Sequence, residues 1–173
     1  MRGISTTAVK ASASILGTSY HAGDIGLISQ PCPWWKGTVA VNLSHSAGQM
    51  YYDSIYSQYA EWGVDFIKND CVFGDDFSPA EIVAQAKAIE RTGRPMIYSI
   101  SPGSTKKGTS GEQVSMANEI KTHVNMYRVT ADDWDSWSNV TSHFAVANEC
   151  AQAELIEECV DHKGTQSSFS CSR

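Results

Sequence analysis

The sequence predicts an α/β protein built from successive βα units, on three observations. Short apolar runs alternate along the chain with amphipathic segments. Helix start and stop signals frame those segments. Three apolar runs are followed closely by polar residues, at Asp70, Ser101 and Asp132. Charged residues make up 18% of the 173 and hydrophobic residues 42%. That balance suits a packed domain rather than a disordered chain.

Taken in order, Met1 to Ile4 reads as the end of a strand. Residues 5–43 read as irregular, with Gly17, Gly23, Gly26, Pro31, Pro33 and Gly37 as breakers. A helix is expected over Ser44 to Trp62, where Met50, Tyr51, Ile55, Tyr59 and Trp62 recur at three- and four-residue steps and Gly63 stops it. Val64 to Lys68 reads as a buried strand with Asp70 just beyond. Ser78-Pro79-Ala80-Glu81 opens the next helix, with Ser as cap, Pro at the first position and Glu as the return arm of a capping box. Ile82, Val83, Ala86 and Ile89 form its expected inner face, and Gly93 ends it. Arg94 to Ile100 is the next strand, Glu112 to Thr122 a weaker helix, Val124 to Val129 a third strand, and Trp134 to Phe144 a helix. The tail after about Val146 begins as a helix and ends in a Ser/Cys segment without apolar period, so its last dozen residues are expected to be disordered.

Several functional classes fall away on composition. The net charge is −6, and the longest basic cluster is Lys106–Lys107 in a Gly/Ser/Thr loop, so nucleic acid is not an expected partner. No run approaches the roughly 20 apolar residues of a membrane span. The N-terminus lacks the apolar stretch of a signal peptide. The five cysteines, Cys32, Cys71, Cys150, Cys159 and Cys171, match no zinc spacing. The acidic residues Asp75, Asp76, Asp133 and Asp135 read as helix caps and solvated faces before they read as metal ligands. No metal or cofactor is therefore expected. Asn42 and Asn139 begin glycosylation triplets that matter only in the secretory pathway.

In a βα architecture, sites lie at the C-terminal ends of parallel strands. Two strand-end carboxylates, Asp70 and Asp132, each with a cation upstream at Lys68 and Arg128, form a fair acid/base pair. Each residue also has a plainer reading. An Asp after a strand makes a turn or caps a helix, and Lys68 and Arg128 are equally readable as charge partners.

Longer strings narrow the choice. "YAEWGVDFIKND" resembles the nucleophile strand of glycoside hydrolase family 27, the α-galactosidase or melibiase family, with Trp62, Gly63, Val64, Asp65, Lys68 and Asp70 all matching its pattern. "GRPMIYSIS" resembles the family's next strand. "MYRVTADDWDSW" resembles its acid/base segment through Arg128, Asp132 and the later Trp137. The first 40 residues resemble a plant branch acting on β-L-arabinopyranosides and α-galactosides. The resemblance implies a retaining glycosidase with Asp70 as nucleophile and Asp132 as acid/base. It also implies substrate contacts from Lys68, Arg128 and Ser101, a galactoside or arabinopyranoside substrate, and a secreted, cell-wall or vacuolar parent. Family members commonly place a Cys two residues after the nucleophile, paired with the next strand. Here Cys71 is adjacent and that strand carries Ser99, Ile100 and Ser101, so that pairing is not expected. By the same resemblance residues 1–146 are a partial (β/α)8 TIM barrel, roughly strands three to six. Residues 147–173 are a divergent, partly disordered tail. The alternative is a truncated, inactive remnant that binds sugar or a partner weakly.

Overall fold

The structure is a computed structural model that describes residues 3–5, 11–72, 78–102, 120–128, 130, 132, 134–152 and 170–172. Its elements are β1 (Ile4–Ser5), a 3-10 turn (Ala22–Ile25), β2 (Gly26–Pro31), β3 (Thr38–Val41), α1 (Ala47–Glu61), β4 (Phe66–Asn69), α2 (Pro79–Arg91), β5 (Ile97–Ile100), β6 (Met126–Arg128), α3 (Trp137–Gln152) and β7 (Ser170–Ser172). The α/β class is as expected. The strands form two sheets. One is antiparallel, in the order β1-β3-β2, and the other runs β4-β5-β6-β7. The pairings β4–β5 and β5–β6 are parallel, and β7 adds antiparallel to β6. Three of the expected parallel strands are therefore consecutive neighbours, while β1 pairs antiparallel with β3.

The first correction concerns residues 5–43. They hold a β-hairpin and a 3-10 turn. The run Thr38-Val39-Ala40-Val41 is buried throughout and pairs on both sides, with β1 and β2. Its Val-Ala-Val run is strand chemistry, but too short to stand out among so many glycines and prolines. Those breakers sit around the hairpin.

Both central helices end where glycine permits. Gly63 and Gly93 take left-handed φ values of +75° and +69°, and the preceding caps Trp62 and Thr92 return their N–H groups to helix carbonyls. At the start of α2, Ser78 Oγ accepts from the Glu81 N–H, and Pro79 follows the cap. The return arm is absent. Glu81 turns inward instead, where its Oε1 accepts from the Val41 N–H at 2.9 Å and from the Tyr52 hydroxyl at 3.1 Å. Gln85, one turn later, accepts from Tyr56 and Tyr98 hydroxyls. The buried stripe of α2 is thus Glu81, Ile82, Ala84, Gln85, Ala88 and Ile89, with Val83 and Ala86 only half-buried. Polar residues displace the expected apolar ones because tyrosine hydroxyls from α1 and β5 need acceptors inside the core.

The same exchange rotates α1. Its buried centre is Tyr52 and Tyr56, Met50, Ile55 and Tyr59 flank it, and Trp62 stands exposed. A partly exposed clamp ties the two helices, with Gln49 Nε2 donating to the Ala84 carbonyl at 2.9 Å and Arg91 bridging to Asp53 at 2.6 Å. One core, including Ile4, Val41, Tyr52, Val72, Ile82, Tyr98, Ile100 and Tyr127, joins the sheets to these helices.

Other boundaries shift. β4 is not a buried strand, since Phe66 is 48% exposed. β5 and β6 are shorter than read, and α3 begins at Trp137 and runs to Gln152. The expected helix from Glu112 to Thr122 lies outside the described residues except for a helical turn at 120–123. In the tail expected to be disordered, residues 170–172 form β7 against β6.

Candidate active site

The register of the parallel strands puts the candidate residues in rows. Lys68 stands opposite Ser99, and Ser99 opposite Met126. Asn69, Ile100 and Tyr127 form the next row. Side chains alternate across a sheet, so Lys68, Ser99 and Met126 share one face, while Ile67, Tyr98 and Tyr127 share the other. The helix-facing side holds Asn69, whose Nδ2 donates to the Tyr98 hydroxyl at 3.3 Å. Asp70 and Ser101 follow directly on Asn69 and Ile100, and Arg128 ends β6 one residue after Tyr127. All three lie at the C-terminal edge of the parallel strands.

At the end of β4, Lys68 Nζ lies 3.8 Å from Asp70 Oδ2. Asp70 Oδ1 accepts from the Cys71 N–H at 2.9 Å. Cys71 holds a left-handed φ of +64°. It is bonded to Cys32, with the Cα atoms 6.0 Å apart. The cysteine after the candidate nucleophile thus has a partner upstream, on the β2–β3 hairpin, rather than on the following strand. The next-strand pairing is absent as expected, and Cys32 takes the place of that partner.

At the end of β6, the Arg128 guanidinium bonds Asp132. The Arg128 Nε is buried with no partner among the described residues. Asp132 does not cap the following helix. The Ser136 carbonyl receives the N–H groups of Asn139 and Val140 at the start of α3, four residues beyond Asp132. The two cations are therefore charge partners of the two carboxylates, as the plainer reading held. Lys68 and Asp132 side chains are both 53% exposed, so the pairs are reachable from solvent. Ser101 differs. It is 2% exposed, and its N–H bonds the Asn69 carbonyl at 3.1 Å, so it presents little to a ligand.

A cavity of about 390 Å³ lies beside β4, walled by Tyr52, Tyr56 and Trp62 of α1 and its C-cap and by Lys68, Asn69 and Gln85. Neither carboxylate lines it. Among the described residues no group of three His, Cys, Asp or Glu side chains is placed to hold a metal. Asp75, Asp76 and Asp133 lie outside the described residues. No helix among the described residues is long and apolar enough to cross a membrane.

Parallel strands whose C-terminal ends carry polar and charged residues are the arrangement in which βα enzymes hold their sites. Residues 37–160 match the melibiase family described as alpha galactosidase A. The chain belongs to that family, glycoside hydrolase family 27. It is 30% identical over 122 residues to an alpha-N-acetylgalactosaminidase from Gallus gallus, covering 69% of this chain and 27% of that one. It is 33% identical over 85 residues to an alpha-galactosidase from Coffea arabica, covering 49% of this chain and 20% of that one. Among solved structures, a family 27 β-L-arabinopyranosidase from Geobacillus stearothermophilus superposes with a TM-score of 0.74 at 35% identity, over 88% of this chain and 34% of that one. A variant of that enzyme has been solved in complex with arabinose. The chain thus spans about a third or less of the length of these relatives.

Proposed function

We propose that this chain carries the two catalytic carboxylates of a retaining glycoside hydrolase acting on α-galactosides or β-L-arabinopyranosides. The observation that carries the reading is that the Lys68–Asp70 and Arg128–Asp132 pairs follow the C-terminal ends of the parallel strands β4 and β6, two strands apart. Adjacent strands lie about 4.8 Å apart, so the ends of β4 and β6 stand roughly 10 Å apart. A retaining pair works at about 5–5.5 Å.

In the first step the Asp70 carboxylate attacks the anomeric carbon, and the bond to the leaving oxygen breaks as Asp132 gives that oxygen its proton. In the second, Asp132 takes a proton from water, whose oxygen attacks the anomeric carbon and frees Asp70. Lys68 places its ammonium beside the Asp70 carboxylate, 3.8 Å from Oδ2. Arg128 holds the Asp132 carboxyl beyond the end of β6. β-L-Arabinopyranose has the ring stereochemistry of α-D-galactose without the hydroxymethyl group, so one pocket serves both. The strands belong to a partial (β/α)8 barrel in this reading. The Cys32–Cys71 bond supports an oxidising location such as the cell wall or vacuole.

The inner face of β4 favours a second statement. Phe66 and Lys68 stand exposed there, where a closed barrel would cover them. The 173-residue chain alone is accordingly a poor catalyst. Treating a catalytically competent full-length enzyme containing these residues with an activated fluoro sugar of each type and mapping the labelled peptide tests the site. Label on Asp70, lost in Asp70→Asn, is the expected result. Label elsewhere, or none with either sugar, removes the proposal.

A further inference from the structure

Asp70 stands between two buried anchors. Asn69 is 1% exposed and Cys71 2%, while the Asp70 side chain between them is 37% exposed. Cys71 is held by its bond to Cys32, and such a bond adds to stability. Asn69 is held in another way. It is the last residue of β4, so Asp70 is the first residue past the ladder. The Asn69 carbonyl accepts from the Ser101 N–H at 3.1 Å, and its Nδ2 donates to the Tyr98 hydroxyl at 3.3 Å.

That hydroxyl is a fixed point. Tyr98 is 1% exposed. Its hydroxyl donates to Gln85 Oε1 at 3.2 Å, and the Tyr56 hydroxyl donates to the same oxygen at 2.8 Å. The Tyr98 main chain is tied to Asn125, whose Oδ1 accepts the Tyr98 N–H at 2.9 Å and whose own N–H donates to the Tyr98 carbonyl at 3.0 Å. Through one oxygen, Asn69 is thus referred to α1, to α2 and to the approach of β6.

The contact is a poor source of stability. Asn69 Oδ1 is buried with no partner among the described residues. A buried carboxamide satisfied on one side only is worse for stability than an apolar side chain of the same outline. Leucine has that outline, and it would leave the Tyr98 hydroxyl still donating to Gln85. A residue that lowers stability therefore sits directly before the proposed nucleophile, and local rules of packing are broken most often at sites of function. What asparagine supplies here and leucine does not is direction. A hydrogen bond to a pinned oxygen fixes the rotation of the side chain, and with it the course of the backbone as it leaves β4.

We infer that Asn69 is a positioning residue for the nucleophile: its carboxamide, held by the Tyr98 hydroxyl, sets where the Asp70 carboxylate stands against the anomeric carbon. The inference rests on the proposed function and adds to it a residue that acts on the helix-facing side of the sheet, through the chain. Small misplacement of a reacting atom slows the chemical step much more than it weakens substrate binding.

The test uses a catalytically competent full-length enzyme containing these residues, assayed on an aryl α-galactoside and an aryl β-L-arabinopyranoside. Asn69→Leu is expected to lower kcat by roughly tenfold, with KM within about twofold of the parent. Its urea midpoint should stand at or above that of the parent. Tyr98→Phe removes the acceptor from the other side and should lower kcat to a similar extent. The double variant should fall no further than either single one, since both remove the same bond. An unchanged kcat in both single variants, a rise in KM alone, or losses that multiply in the double variant overturns the inference. So does a kcat loss accompanied by a lowered urea midpoint in Asn69→Leu, which makes the residue structural only. Asp70→Asn in the same enzyme separates the two readings. If it abolishes turnover, those outcomes strike the positioning role and leave the proposed function standing. If it retains turnover, the proposed function falls and the inference with it.

Discussion

Cys71 and Cys32 are bonded across 39 positions of sequence, and Cys71 is the residue that follows Asp70 and gives its N–H to the Asp70 carboxylate. The bond therefore anchors the turn at the end of β4 as well as closing a loop. Closing a loop of that length removes about 4 kcal/mol of unfolded-chain entropy. Cys32→Ser is expected to lower stability by that order, read as a fall in the urea midpoint. Dithiothreitol should reproduce the fall in the parent chain and have little effect on the variant.

Glu81 makes a second long-range tie. It is 2% exposed and holds the Val41 N–H and the Tyr52 hydroxyl. Glu81→Ala strands both donors inside the core and is expected to cost about 3 kcal/mol by chemical denaturation. Glu81→Gln keeps an acceptor oxygen and should cost far less. Val83→Ala, at a half-buried position, should fall below either.

Alkaline pH should unfold the protein through its tyrosines. Burial, as the leading cause, raises the ionisation of Tyr51, Tyr52, Tyr56 and Tyr98 well above the ordinary value of 10.0. A raised value in the folded state means that the folded chain keeps its protons where the unfolded chain has lost them. The stability these hydroxyls contribute is complete below about pH 10 and is lost as pH climbs towards the folded values. Each tyrosine gives a slope of up to about 1.4 kcal/mol per pH unit in that window. Melts between pH 8 and 11.5 should hold level to about pH 10 and then drop. The tyrosinate absorbance contributed by these four side chains should appear with unfolding rather than before it.

The two carboxylates should separate by leaving group in a catalytically competent full-length enzyme containing these residues. Asp70→Asn is expected to abolish turnover of every glycoside, because an amide cannot form the glycosyl ester. Asp132→Asn should slow poor leaving groups by about a hundredfold or more and spare activated aryl glycosides, because only the former need the proton. Equal losses across a leaving-group series would contradict the assignment.

The helices were legible because their signals are local. Ser78, Pro79 and Gly93 lie within α2 or beside it, and the apolar steps of α1 are counted along one segment. The runs that become β4, β5 and β6 were legible for the same reason, as apolar stretches leading to Asp70, Ser101 and Asp132, though β6 closes at Arg128. Family strings named the carboxylates, and the parallel pairing of β4, β5 and β6 puts their strand ends at one edge of the sheet.

What the sequence by itself determined, then, was the order of the βα units and the residues at their polar ends, since neighbouring side chains and caps suffice for both. The tertiary structure alone decided which side of each helix is buried, which cysteine meets Cys71, and whether Lys68 and Arg128 stand apart or pair with the carboxylates. The physical reason is distance along the chain. Glu81 turns inward because its partners, Tyr52 and Val41, lie 29 and 40 residues away. Gln85 is buried because Tyr56 and Tyr98 bring hydroxyls that must be satisfied there. A glutamate at the third helical position reads as a cap until the core supplies a stronger claim on its oxygen. Cys32 likewise gains its meaning only when the β2–β3 hairpin folds back on the end of β4.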